Sequence, residues 1–92
     1  MARGPSGGVG KSDMQLILYV RRDCHLCTEM HQELLKLEPP LPFTVELVDI
    51  DGDAALVTRY GHKVPVLVGG DEEICHYFLD EPQLAEYFAR LR

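Results

Sequence analysis

The sequence predicts an α/β domain in which a mixed four-stranded sheet is flanked by helices, in the order β-α-β-α-β-β-α. Three observations lead to this fold class. One early segment is almost continuously apolar, a second alternates apolar with polar residues, and helical spacing of apolar residues lies between them. A strand, a helix and a second strand imply a parallel pair. Two later apolar runs joined by a glycine-rich turn imply an antiparallel pair.

The first strand and the first helix are predicted from the segment 15–37. Residues 15–20 (QLILYV) are nearly all apolar, which is typical of a central strand covered on both faces. Asp23 is a candidate N-cap for the helix that follows. Proline residues in the segment 38–42 (EPPLP) should end this helix, because proline lacks the backbone N–H. The apolar face of the helix consists of Cys27, Met30, Leu34 and Leu37.

The second strand and the second helix are predicted from the segment 43–61. Residues 43–50 (FTVELVDI) alternate apolar with polar positions, which indicates a strand with one covered face near a sheet edge. A short helix is expected at roughly 54–60. Gly61 should end it as a C′ glycine.

A hairpin and a terminal helix complete the prediction. Residues 64–68 and 73–79 are expected to form two strands around the turn at 69–72 (GGDE), which gives the strand order 2-1-3-4. The segment 80–83 (DEPQ) has the pattern of a helix start, with an acidic cap and a proline in the first turn. The apolar face of this helix consists of Leu84, Tyr87, Phe88 and Leu91.

Length and charge exclude several classes of protein. The 92 residues suit a single domain, which we place at 14–92 after a flexible glycine- and proline-rich tail at 1–13. A net charge of −6 with scattered basic residues disfavours nucleic-acid binding. No apolar run reaches the roughly 18 residues of a membrane span, and the N-terminus lacks the apolar stretch of a signal peptide. We expect a cytoplasmic monomer with neither nucleic acid nor membrane as a partner.

Two cysteines, Cys24 and Cys27, stand where the first strand passes into the first helix. The free N–H groups and the positive end of the helix dipole favour an anion there, and a thiolate is the species that attacks disulfides. Cys24 at the helix tip would attack a disulfide, and Cys27 on the apolar face would resolve the mixed disulfide. Arg21 and protonated His25 would stabilise the thiolate, whereas Asp23 would oppose them. The pair is therefore predicted to be catalytic, with Arg21 and His25 tuning it.

Other interpretations of the cysteine pair stay open. One Cys-x-x-Cys supplies two of the four ligands that a closed zinc site needs. His31, Cys75 and His76 are the candidates to complete a zinc or iron–sulfur site. Alternatively, the two cysteines are inert core residues. The three cysteines of the chain fit a reactive pair plus one free thiol, Cys75, which we interpret as a buried apolar residue. No metal ligand is assigned.

With a Cys-x-x-Cys at a strand–helix junction and Val64-Pro65 opening a later strand, the chain resembles the thioredoxin fold. Within that fold it is similar to the small glutaredoxin-like proteins, over residues 14–92. The resemblance implies that the Val64–Pro65 peptide bond is cis and that these two residues shape a substrate groove beside the cysteines. The chain departs from the family pattern between the cysteines, where glutaredoxins usually carry Pro-Tyr, and at Lys63, where they often carry threonine.

The resemblance also implies an activity and its partners. Thiol–disulfide exchange is expected, with electron transfer to a disulfide-containing protein or to a glutathione mixed disulfide, as part of cellular redox homeostasis. No bound cofactor is expected. Glutathione is one candidate co-substrate and electron donor, with thioredoxin reductase as the alternative donor. Arg21, Val64 and Asp80 are the residues expected to bind glutathione.

Overall fold

A computed structural model describes residues 15–37 and 44–90 and the backbone of residue 91. Its helices and strands in chain order are β1 (Gln15–Val20), α1 (His25–Leu35), β2 (Thr44–Asp49), α2 (Ala54–Tyr60), β3 (Val66–Gly69), β4 (Glu72–His76) and α3 (Glu81–Leu91). A 3-10 turn at Ile50–Gly52 joins β2 to α2. The predicted tail at 1–13, the helix stop at 38–42 and the strand residue Phe43 lie outside the described residues. The predicted fold class and element order are confirmed.

The four strands lie in the order β2-β1-β3-β4, which is the order that the sequence predicts. β1 runs parallel to β2, from Gln15 opposite Thr44 to Val20 opposite Asp49. It runs antiparallel to β3, with Tyr19 opposite Val66. β3 and β4 form an antiparallel hairpin. The end of β1, the start of β3 and the end of β4 therefore meet at one end of the sheet.

Both faces of the sheet are covered, which explains the continuous apolar run of β1. One buried cluster joins α1 and α3 to the sheet through residues that include Leu16, Leu18, Met30, Leu67 and Leu84. A second cluster contains Ile50, Tyr60, Val66 and Val68, and it includes residues of α2. Since Leu67 belongs to the first cluster and its two neighbours in β3 belong to the second, the clusters lie on opposite faces.

The prediction that Asp23 caps α1 is wrong. An N-cap residue needs extended backbone so that its side chain can reach the free N–H groups of the first turn. Cys24 has that geometry (φ −104°, ψ 104°), and its Sγ accepts the Cys27 N–H at 3.1 Å. Asp23 has a φ of 55°, a left-handed conformation that aspartate tolerates better than most residues. Asp23 turns the chain, and Cys24 caps the helix.

Gly61 also differs from its predicted role. It is the C-cap of α2, but its φ of −56° is right-handed, so it does not adopt the left-handed conformation of a C′ glycine. Glycine is required at this position because there is no room for a side chain. A Cβ here would lie 2.5 Å from the carbonyl oxygen of Val57 and 3.2 Å from Nη1 of Arg21.

The hairpin strands are shorter than the sequence predicts. β4 ends at His76 because Tyr77 has a φ of 67°, which cannot continue a strand. The turn between β3 and β4 uses Gly70, whose φ of 60° explains the glycine. The predicted start of α3 is observed, since Asp80 Oδ1 accepts the Gln83 N–H at 3.0 Å. Within the described ranges, no helix has the length and apolarity needed to cross a membrane.

Candidate active site

The two cysteines lie at the tip of α1, joined by a disulfide with a Cα–Cα distance of 5.2 Å. Three residues along a helix amount to nearly one turn, so both side chains lie on the same side of its first turn. Cys24 is half-buried, whereas Cys27 is only 4% exposed and belongs to the core. A partner arriving from solvent therefore meets Cys24 first.

Cys24 accepts two backbone N–H groups of the first turn of α1, one of them at its sulfur. Its Sγ accepts the Cys27 N–H at 3.1 Å, and its carbonyl oxygen accepts the Thr28 N–H at 3.2 Å. No acidic side chain lies in the first turn of the helix. The positive end of the helix dipole thus acts on Cys24 without a carboxylate in that turn to offset it, and an anion at this sulfur is favoured.

A surface groove of about 620 Å³ runs beside the disulfide, between the start of α1 and the edge strand β2. Leu47 of β2, which is 47% exposed, provides part of an apolar wall. The groove is lined by Val20, Arg21, Asp23, Cys24, His25, Cys27, Thr28, His31 and Leu47. The predicted groove residues Val64 and Pro65 are not among these lining residues.

Val64 and Pro65 lie at the same end of the sheet as the cysteines, and the peptide bond between them is cis. Because Val66 pairs with Tyr19, the two residues before β3 continue towards the chain that follows β1. Pro65 is buried, and its carbonyl oxygen accepts the Tyr77 N–H at 3.0 Å. Val64 is half-buried and packs against the cluster around α2.

Arg21 is held by an acidic residue that the sequence analysis did not single out. Its Nε donates to Asp51 Oδ1 at 2.7 Å, and its Nη1 donates to the Gly61 carbonyl at 3.2 Å. The Arg22 backbone N–H donates to Asp51 Oδ2 at 3.3 Å. The hydrogen bond from Arg22 and then that from Arg21 hold the pKa of Asp51 below its ordinary value. The predicted parallel pairing could have indicated this contact. Two paired parallel strands end side by side, so the residues after β1 lie close to the residues after β2.

His25 lines the groove beside the disulfide and is also paired with a carboxylate on the next turn of the helix. Its side chain is 86% exposed, and its Nε2 lies 2.7 Å from Glu29 Oε2. When His25 is protonated, its charge is therefore shared with a carboxylate four residues along the helix. This pairing weakens the effect on Cys24 that a protonated His25 would otherwise have.

The three residues expected to bind glutathione do not share one groove. Arg21 lines the groove beside the disulfide, whereas Asp80 lines a second groove of about 580 Å³ between β4 and the start of α3. Val64 lines neither of the two grooves. The Asp80 carboxylate also caps α3 through its contact with the Gln83 N–H.

Cys75 lies in β4, which is separated from β1 by β3, and it is 9% exposed. Burial raises the pKa of its thiol above the ordinary value. Within the described ranges, no group of three or more histidine, cysteine, aspartate or glutamate side chains is arranged to hold a metal ion. The structure thus does not bring Cys75 and His76 together with the other two cysteines.

Comparisons with known proteins agree with this fold. A family described as "Glutaredoxin-like domain (DUF836)" matches residues 15–89. Uncharacterized protein Rv0508 of Mycobacterium tuberculosis is 27% identical over 81 residues, covering 83% of this chain and 84% of the relative. The solution structure of protein Ne2328 from Nitrosomonas europaea is 41% identical, covers 79% of this chain and 88% of its own, and superposes with a TM-score of 0.72. The X-ray structure of protein XcR50 from X. campestris is 38% identical, covers 82% and 96%, and has a TM-score of 0.61.

Proposed function

The chain belongs to the glutaredoxin-like domain family, and on that premise we propose that it carries out thiol–disulfide exchange with Cys24 and Cys27 as the redox pair. One observation carries the proposal. Cys24 is at once the N-cap of α1 and one half of a disulfide that opens into a surface groove. A helix N-terminus stabilises a thiolate, and a thiolate in an accessible groove can attack a partner disulfide.

The exchange proceeds in two steps. The Cys24 thiolate attacks one sulfur of the partner disulfide, forms a mixed disulfide and releases the first partner thiolate. Cys27 then loses its proton and attacks Cys24 Sγ, which closes the Cys24–Cys27 bond and releases the second partner thiolate. Two electrons pass from the cysteine pair to the partner, and an external thiol reductant restores the pair.

The partner is a disulfide-containing protein or a glutathione mixed disulfide, with glutathione as a co-substrate. Arg21 is the residue proposed to bind a carboxylate of such a partner, because it lines the groove beside Cys24. Its Nε and Nη1 are engaged, while its Nη2 makes no hydrogen bond within the described ranges. Val64 and Asp80 lie outside this groove and would contact more distant parts of the same ligand.

The test is a thiol titration in glutathione redox buffers of defined ratio. Wild type should show a reversible two-electron transition that both Cys24→Ser and Cys27→Ser abolish. Cys27→Ser should also accumulate a mixed disulfide with a model disulfide substrate, visible by mass spectrometry, because its resolving thiol is gone. Cys75→Ser is the matched control and should titrate as wild type.

Two results would overturn the proposal. One is a transition that survives in both Cys24→Ser and Cys27→Ser, since the electrons would then come from elsewhere. The other is about one zinc or iron per chain in the purified reduced protein, lost on alkylation of the thiols, which would make the pair a set of metal ligands.

A further inference from the structure

A single carboxylate secures the segment 21–23, which leads from β1 to Cys24. Asp51 Oδ1 accepts the Arg21 Nε–H at 2.7 Å, and Asp51 Oδ2 accepts the Arg22 backbone N–H at 3.3 Å. Asp51 is itself fixed in the 3-10 turn after β2, because its own N–H donates to Asp49 Oδ1 at 2.9 Å. Asp51 thus contacts two of the three residues that position the helix tip.

Asp51 also balances charge next to the disulfide. Arg21 lines the groove beside Cys24, and Asp51 is the carboxylate in contact with its guanidinium. The other titratable groups that line the groove, apart from the cysteines, are Asp23, His25 and His31. Since Glu29 shares the charge of protonated His25, Arg21 is the permanent positive charge of the groove, and its strength depends on Asp51.

We propose that Asp51 sets how strongly the Cys24 thiolate is stabilised, by opposing the positive charge of Arg21 in the groove beside Cys24. This inference rests on the proposed exchange function. The thiolate belongs to the reduced form of the pair. Removing the charge of Asp51 should therefore strengthen the positive field at Cys24, stabilise the reduced form and make the pair more oxidising.

The variant that tests this is Asp51→Asn, which removes the charge and keeps an oxygen that can accept from Arg21 Nε. The equilibrium with glutathione should shift about threefold to fivefold towards the reduced pair, which corresponds to about 15–20 mV. The pKa of the Cys24 thiol, followed by the pH dependence of its alkylation, should fall. Asp53→Asn is the matched control, because it removes the same charge from the cap of α2. Asparagine caps helices equally well, so this control should leave both quantities within about twofold of wild type.

A double-mutant cycle tests whether Arg21 is the charge that Asp51 opposes. Arg21→Gln alone should shift both quantities in the opposite direction, and the Arg21→Gln/Asp51→Asn variant should return them to within about twofold of wild type, because the contributions of the two opposite charges add. Three results would overturn the proposal: no shift in Asp51→Asn, the same shift in Asp53→Asn, or a shift in Arg21→Gln that is absent or has the same direction as in Asp51→Asn. Circular dichroism of each variant shows that it is folded.

The two measurements separate this inference from the proposed function. A wild type that shows no two-electron transition contradicts the exchange function. The alkylation measurement needs only the Cys24 thiol, so it tests Asp51 in that case too. Conversely, a normal wild-type transition with an unmoved Asp51→Asn variant contradicts the role of Asp51 alone.

Discussion

Cys24 and Cys75 show how position decides what a thiol can do. Cys24 lies at a helix N-terminus, where its sulfur accepts the Cys27 N–H, and it borders an open groove. Cys75 lies in β4 and belongs to the buried cluster between the sheet, α1 and α3, where burial raises the pKa of its thiol. The first environment favours the charged form, and the second disfavours it.

Cys75 should therefore be unreactive in the folded protein. In a Cys24→Ser/Cys27→Ser variant, we expect alkylation by iodoacetamide at neutral pH to be at least about tenfold slower than in the same protein unfolded in urea. Raising the pH should increase the folded-state rate only above the ordinary range of a cysteine thiol, because the pKa is raised. Equal rates in the folded and unfolded states, followed by mass spectrometry, would contradict this expectation.

At the scale of elements, side-chain contacts connect the loop before Pro65 to β4 and to Tyr77, which directly follows it. The Tyr77 hydroxyl donates to the His62 carbonyl at 2.8 Å, and Lys63 Nζ lies 2.8 Å from Glu73 Oε1. The same glutamate lies 2.8 Å from His76 Nδ1. Lys63, which departs from the family pattern, thus has a structural partner that positions the loop next to the candidate site.

The hairpin of β3 and β4 packs so closely against α3 that only glycine fits at position 69. Gly69 of β3 is buried against Tyr87, and a Cβ added to Gly69 would collide with the Tyr87 ring. Gly69→Ala should destabilise the protein by about 1–3 kcal/mol, the usual cost of overpacking. Urea unfolding measures this cost.

Gly52→Ala is the matched control for Gly69→Ala, because no atom lies within 4 Å of the Cβ position of Gly52. Its stability should stay within about 0.5 kcal/mol of wild type. If both substitutions cost the same, the contact between Gly69 and Tyr87 does not explain the glycine.

At the scale of the whole molecule, stability should fall in acid. The pKa of Asp51 is lowered from 3.8, and the pKa values of Glu72 and Glu73 are lowered from 4.5. At Glu73 burial opposes the shift, but hydrogen bonds from Lys63 and His76 outweigh it. A group whose pKa is lower when folded contributes stability above its unfolded value, and that contribution disappears as the pH falls through the folded value.

Glu73→Gln isolates one of these contributions. At neutral pH it should cost about 0.5–1 kcal/mol, because the contacts to Lys63 and His76 lose their charge. The difference from wild type should narrow below about pH 4.5, where the wild-type carboxylate takes up its proton. Glu33→Gln, at an exposed position of α1, should behave as wild type at every pH. A difference between Glu73→Gln and wild type that does not change with pH, measured by urea unfolding, would contradict the linkage.

Much of the fold follows from patterns within short segments. Each of these patterns lies within a few residues: the apolar run of β1, the spacing of Cys27 and Met30, and the glycine turn at Gly70. The connections between the elements then determine the order of the strands. The cap at Cys24 could not be predicted this way, because the left-handed turn at Asp23 depends on how the loop closes. That closure involves a contact between Arg21 and Asp51, which are 30 residues apart in the sequence.

The described sheet ends in two open strands, β2 and β4, and each carries two carboxylates. These are Glu46 and Asp49 on β2, and Glu72 and Glu73 on β4. An edge strand offers unpaired backbone groups to any second strand, and charged side chains are what deter it. The β4 carboxylates are paired with Arg90 and Lys63. At neutral pH, two molecules that approach along their β2 edges bring the like charges of Glu46 and Asp49 together. Acid that protonates these carboxylates therefore removes a barrier to self-association as well as a source of stability, and solutions of this protein should aggregate through their sheet edges before they unfold completely.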